Sequence, residues 1–240
     1  MITGASSGLG AELARQYANP QNSLILLARR EEKLQKLQNE LISICKSVEI
    51  IVVDVTDFDE LQEKIKTIDS IDLIILNAGI SLGHSNGITP INEFRKLYDV
   101  NLFANHAILE VLLPKLQEQE SGKIVFISSL ASLISMPTSK AYSSSKRALN
   151  AYAEGIRYKY NKYGIKVINI LPGFIKSELT DKNDFNMPFL LSTKDGVKRI
   201  KNAIEKEKRI YAFPLRFYLI ITLLNLLPKS LREKIVNSRK

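Results

Sequence analysis

A doubly wound α/β fold, one open parallel sheet covered by helices on both faces, is predicted from three features of this sequence. Short Val/Ile/Leu runs alternate with longer helix-compatible stretches, and a glycine-rich turn opens the alternation. The length, 240 residues, suffices for one large domain with a self-sufficient core. No internal repeat, low-complexity stretch or linker divides the chain. Residues 1–193 are therefore assigned to one domain and residues 194–240 to a C-terminal apolar and basic helical tail on it.

Taken in order, the strands fall at residues 24–27, 48–53, 73–76, 123–127 and 166–171. Each is a nearly continuous apolar run of the kind buried on both faces of a parallel sheet. Helices are expected at 11–18, 31–44, 58–68, 91–119 and 141–163, with Gly122, Pro172 and Gly173 punctuating the boundaries. A first strand should precede the glycine turn at the centre of the sheet, yet only Met1 and Ile2 stand before Thr3. Either the sheet tolerates a stub there or the native chain begins upstream. The second is the expectation, and a longer chain should then melt at a markedly higher temperature.

Composition sets limits on function. Hydrophobic residues at 45% and charged residues at 25% are the balance of a soluble globular protein. A lone cysteine, Cys45, excludes a disulfide framework and fits a reducing, cytoplasmic compartment. His84 and His106 are too few for an ordinary zinc site, so no metal is expected. The net charge of +9 belongs to the tail: residues 1–193 hold 21 basic against 21 acidic side chains, and residues 194–240 hold 13 against 4. That asymmetry suits attraction of the tail to an anionic surface. Without a recognition-helix or RNA-binding aromatic motif, it does not point to nucleic acid. The N-terminus shows no signal-peptide pattern, and no segment reaches the ~20 apolar residues that span a bilayer.

The turn reads Thr3-Gly4-Ala5-Ser6-Ser7-Gly8-Leu9-Gly10. Glycines there let backbone approach a pyrophosphate, and the helix that follows offers free N–H groups and the positive end of its dipole. Its Gly-x-x-x-Gly-x-Gly spacing differs from the general Gly-x-Gly-x-x-Gly fingerprint, and a plain strand-to-helix turn is the alternative reading. Residues 4–8 also satisfy the Gly-x-Ser-x-Gly of a hydrolase elbow. That elbow needs strands before it and a histidine base, here His84 or His106. Beyond the strand at 24–27, Arg29 and Arg30 stand where an acidic residue would bind a ribose 2′-hydroxyl. Arginine there suits a 2′-phosphate and favours NADP(H) over NAD(H), unless both are solvated charges beside Glu31 and Glu32.

Tyr142 and Lys146, four apart, fall on one face of a helix spanning 141–163. A free phenol, with a pKa near 10, is a poor base; a neighbouring cation should lower it enough to exchange protons with an alcohol or carbonyl. Alone the pair is weak. Ser129 follows the strand at 123–127, at the carboxyl end of the sheet, where its hydroxyl could polarise a substrate oxygen. Ser128 is the adjacent competitor.

The set Thr3-Gly4-x-x-x-Gly8-x-Gly10, Asn77-Ala78-Gly79, Asn101, Ser129, Tyr142-x-x-x-Lys146 and Pro172-Gly173 resembles the short-chain dehydrogenase/reductase family, in its compact single-domain branch. The resemblance runs from residue 3 to about 180 and implies a Rossmann-like sheet. It implies Tyr142 as acid/base and Lys146 as the cation that lowers its pKa and bonds the nicotinamide ribose. It implies Ser129 as the group orienting the carbonyl, and Asn101 as the holder of a proton-relaying water. Asp54-Val55 would bind the adenine ring, Asn77-Ala78-Gly79 would line the cofactor, and Ser6, Ser7 and Leu9 belong to its turn. Pro172, Gly173 and Ile175 would contact the nicotinamide amide, with Ser177 where the family usually has threonine. Homo-oligomers are common in the family, so one is expected here.

Substrate selection is expected from residues 130–140 and a lid at 178–193. Leu130, Leu133, Ile134, Met136, Leu179, Phe185, Met187, Phe189 and Leu190 suggest a lipophilic ketone or aldehyde, or are simply packing. Residues 217–227 are apolar except for a stripe of Tyr218, Thr222 and Asn225. This should be a helix that either rests on an anionic membrane surface with the basic residues 229–240 or buries itself on the core. The predicted activity is NADP(H)-linked carbonyl/alcohol interconversion, the alternative a cofactor-binding sensor without turnover.

Overall fold

The computed structural model describes residues 1–83, 87–181, 183 and 186–237. Seven parallel strands form one sheet: β1 (Ile2–Thr3), β2 (Ser23–Ala28), β3 (Ser47–Val52), β4 (Leu73–Leu76), β5 (Gly122–Ile127), β6 (Ile165–Pro172) and β7 (Ile210–Phe213). Their order is β3-β2-β1-β4-β5-β6-β7, so the chain reverses direction across the sheet between β1 and β4. That reversal opens a crevice at the carboxyl ends of the strands. The first strand is two residues long and sits at the centre, Ile2 pairing with Leu26 on one side and Ile75 on the other.

Helices α1 (Gly8–Tyr17), α2 (Glu31–Leu41) and α3 (Phe58–Lys66) follow the first three strands. Then come α4 (Ile91–Tyr98), α5 (Ala104–Glu118), α6 (Lys140–Tyr160) and α7 (Thr193–Glu205). The apolar stripes of α1, α2 and α7 meet one face of the sheet through Leu13, Leu34, Leu37 and Ile200. Those of α3, α5 and α6 meet the other through Leu61, Ile65, Leu112 and Leu149. Strands so covered can be apolar at every position, which is why their runs showed no alternation. Side-chain caps set some helix starts: Asp57 accepts from Glu60 N at 3.1 Å to begin α3, and Ser192 accepts from Asp195 N at 3.1 Å to begin α7.

The single helix predicted over 91–119 is a continuous helical run whose pitch changes. A π-helical turn, Asp99–Phe103, joins α4 to α5. The tail is more than an appendage. Its α7 packs on α1 and its β7 completes the sheet edge beside β6, two elements that the sequence reading did not resolve. After β7 come α8 (Leu215–Leu226) and α9 (Lys229–Asn237). Among the described residues, no helix is long and apolar enough to cross a membrane.

Candidate active site

The glycine turn is built without spare room. Gly4 and Gly8 hold φ of +67° and +53°, the left-handed region that side chains resist. A Cβ on Gly4 would lie 3.0 Å from Ala78 Cα, and one on Gly10 would lie 2.3 Å from Gly4 O. Buried Thr3 stitches this turn to the end of β4: its hydroxyl accepts from Asn77 N and Ala78 N, both at 2.9 Å, and its carbonyl accepts from Asn77 Nδ2 at 2.9 Å. Backbone at the mouth of α1 thus lies open towards the crevice, as a bound pyrophosphate would need.

Asn101 occupies the π-helical turn and is fully buried. Such turns redirect a side chain inward. Its amide accepts from Ile80 N at 2.9 Å and donates to Ile80 O at 3.1 Å and to Ser145 Oγ at 3.0 Å. The segment after β4 is thereby tied to α6. A Cβ on Gly79 would meet Asn101 Oδ1 at 3.3 Å and Lys146 Nζ at 3.4 Å, so a larger residue here would crowd this junction.

Tyr142 and Lys146 lie one turn apart on α6, with Lys146 Nζ 5.9 Å from the centroid of the phenol ring. The ammonium donates to Ile127 O at 2.9 Å, and burial, with 4% of the residue exposed, lowers its pKa to about 8. Ser129 caps the short 3₁₀ turn Leu130–Ser132, accepting from Ala131 N at 3.1 Å, and its hydroxyl faces the Tyr142 phenol across the cavity. Ser128 points elsewhere, its hydroxyl donating to Lys146 O at 3.3 Å. Both serines border the cavity, and it is the Ser129 hydroxyl that acts on the tyrosine.

One expectation needs correcting. Burial pushes the Tyr142 phenol above its ordinary value, and the Ser129 hydrogen bond only partly opposes this. The ammonium is turned to Ile127 O. Desolvation drives both groups towards their neutral forms.

Leu9, Ser129, Tyr142, Lys146, Ile175 and Leu179 line a cavity of about 100 Å³, with Pro172, Gly173 and Ser177 on its wall. It shares Asn77, Gly79 and Ser177 with a longer cleft of about 780 Å³, which runs over the glycine turn to Asp54, Val55 and the two arginines. Arg29 lies outward, paired with Asp54 at 2.9 Å, whereas Arg30 turns onto Ser6 and Ser7. Together the two hollows run from Tyr142 and Lys146, past the glycine turn, to Asp54 and the two arginines.

Sequence reasoning missed Thr180, Glu178 and Lys33. Thr180, buried in the cavity wall, donates to Ile175 O at 2.9 Å and accepts from Ser177 N at 2.9 Å. Glu178 bridges to Arg30 and Lys33 across the cleft mouth. Their long-range partners left no local signal.

The residues expected to select substrate divide. Leu179 lines the cavity, but Leu130, Leu133 and Ile134 pack beneath α8 with Ile221, and Phe189 leans on Phe217 at 5.9 Å. Phe185 lies outside the described residues, as does His84. The inner side of α8 rests on the core, and Asn225 of its polar stripe donates to Leu133 O at 2.8 Å.

Comparison with known proteins agrees with this geometry. The family model for short chain dehydrogenase matches residues 1–187. An uncharacterized oxidoreductase of Myxococcus xanthus is 34% identical over 235 residues, 96% of this chain and 93% of its own. Among solved structures, a short-chain dehydrogenase from Sphingobium yanoikuyae in complex with NADPH superposes with a TM-score of 0.82 at 22% identity, covering 95% of this chain and 96% of that one. The bulky-bulky ketone specific alcohol dehydrogenase from Comamonas testosteroni gives 0.81 at 21% identity, covering 95% and 94%. A third of positions shared along nearly the whole length, on this fold, puts the chain in the short-chain dehydrogenase/reductase family, as an oxidoreductase.

Proposed function

We propose that this enzyme interconverts a lipophilic ketone or aldehyde and its alcohol, using NADP(H). The observation that carries the reading is the meeting of Ser129, Tyr142 and Lys146 in one cavity that Leu9, Ile175 and Leu179 make apolar. Bound nicotinamide supplies or takes the hydride. Ser129 holds the substrate oxygen, and Tyr142 gives it a proton in reduction or removes one in oxidation. Raised by burial, the phenol stays protonated across the neutral range and suits the reductive direction. Lys146 would hold the cofactor ribose beside the phenol, and Asn101 would anchor a proton relay behind it.

The chain fits the dinucleotide. Gly4, Gly8 and Gly10 leave the cradle that side chains would fill, and Arg30 with Ser6 and Ser7 faces a ribose phosphate at the cleft's far end. Asp54 and Val55 suit the adenine end, and Asn77-Ala78-Gly79, Pro172, Gly173, Ile175 and Ser177 the nicotinamide end. The solved relative with NADPH and the alcohol dehydrogenase named for bulky ketones support the cofactor and the substrate class. NADPH oxidation with a panel of apolar ketones and aldehydes, and little with sugars or charged carbonyls, is the expected result. No oxidation with any carbonyl would leave a cofactor-binding sensor in its place.

We further propose that this cytoplasmic enzyme rests on an anionic membrane surface through its tail. Leu215, Leu219, Leu223 and Leu226 share one face of α8 and are 63%, 48%, 63% and 77% exposed. Beside them α9 offers Lys229, Arg232 and Lys234, a pairing of apolar face and basic charge that suits acidic lipid headgroups. The protein should float with phosphatidylserine-containing vesicles at physiological salt, and Leu223→Glu should release it. A wild type that stays in the soluble fraction overturns the idea.

A further inference from the structure

The densest set of charge-assisted hydrogen bonds around the cleft belongs to a residue that the proposed reaction does not use. The Glu178 carboxylate, at the start of the lid, receives Lys33 Nζ on Oε1 at 2.7 Å, and Arg30 Nη1 and Ser7 Oγ on Oε2 at 2.8 and 3.0 Å. These bonds, from Lys33 first and then Arg30, hold its pKa down at about 2. Arg30 is locked in turn, donating to Ser7 Oγ at 2.5 Å and to Ser6 Oγ at 3.1 Å. Donors from the glycine turn, the end of β2 and the first turn of α2 thus converge on one point, and the lid supplies the anion. Side chains there are 40% to 52% exposed, so an anion from solvent can reach the same seat.

We propose that Glu178 is a specificity-determining residue. Its carboxylate occupies the seat that the cofactor's ribose 2′-phosphate takes, and it must swing away for that phosphate to enter. The inference rests on the NADP(H) reading above. A carboxylate and a phosphate seek the same guanidinium, ammonium and hydroxyl donors, and two anions cannot share them without repulsion. A dinucleotide lacking the 2′-phosphate does not compete for this seat. Glu178 therefore weakens NADP(H) binding while sparing NAD(H), and entry of the phosphate frees the lid from the glycine turn.

The test is equilibrium binding of NADPH, NADH, 2′,5′-ADP and 5′-AMP to the full chain and to Glu178→Gln and Glu178→Ala. If the seat is open about a tenth of the time, both variants bind NADPH and 2′,5′-ADP about tenfold more tightly, with NADH and 5′-AMP within about twofold of wild type. Unchanged or weaker NADPH binding overturns the proposal, as does equal tightening of NADH. A wild type and variants that all bind NADH but neither 2′-phosphate probe would instead sink the NADP(H) reading. The wild type gives an independent check by hydrogen exchange. Adding 2′,5′-ADP should speed exchange in residues 177–181, and slower exchange there would contradict displacement of the carboxylate.

Discussion

Tyr142→Phe is expected to lower turnover about 10³-fold while leaving NADPH binding within about twofold of wild type. Phenylalanine keeps the ring and removes only the hydroxyl that Ser129 meets. The substrate oxygen then has no proton donor, and water in a cavity of about 100 Å³ is a poor substitute. The cofactor cradle is made by other segments, chiefly the glycine turn and the end of β4, so binding should survive. Single-turnover kinetics with fluorescence titration of NADPH separates the two quantities. Turnover that persists in Tyr142→Phe would remove the tyrosine from the chemistry.

Lys146→Met should show the opposite signs for activity and stability. Turnover falls at least about 10²-fold, because the group linking phenol and ribose is lost. Stability at pH 7 rises by roughly 1–3 kcal/mol, because a cation is no longer held away from water. Burial lowers the Lys146 pKa from 10.5 to about 8, so below pH 8 the folded chain bears the full cost of keeping that ammonium dry. Between about pH 8 and 10.5 the unfolded chain holds more protons than the folded one, so wild-type stability from this group rises with pH. The melting gap between Lys146→Met and wild type should therefore be widest near neutrality and close through that window. Loss of the bond to Ile127 O trims the gain. A variant that melts lower at pH 7 would mean that the lysine stabilises the fold.

The strand at 73–76 appears at the residues its apolar run predicted, and those at 24–27 and 166–171 gained one residue at each end. Burial on both faces leaves an unbroken apolar run, which one sequence window can reveal. The four residues of β7, Ile-Tyr-Ala-Phe, are also an unbroken apolar run, but one lying beyond the last helix-sized stretch that the alternation marked. Ile210 is 56% exposed, and the strand exists because β6 offers an open edge to pair with. The polar stripe of α8 left its orientation open in the sequence. Asn225 turns to a carbonyl of the neighbouring loop, leaving the broad apolar side outward, an orientation that helical periodicity alone cannot choose.

Tyr142 and Lys146 could be paired from sequence because four residues are one helical turn, a local geometry that needs no tertiary knowledge. The glycine spacing, the order of strands and helices and the family were legible for the same reason. Spacing favoured Ser129 over Ser128, but proximity in sequence did not settle which of Arg29 and Arg30 turns onto Ser6 and Ser7, or that Glu178 closes onto Arg30. Those outcomes depend on where remote segments arrive: Glu178 lies 148 residues from Arg30 and 171 from Ser7. Nor could spacing foresee that burial would push the Tyr142 phenol up and the Lys146 ammonium down. Desolvation is set by everything that surrounds a group, and only the folded chain supplies those surroundings.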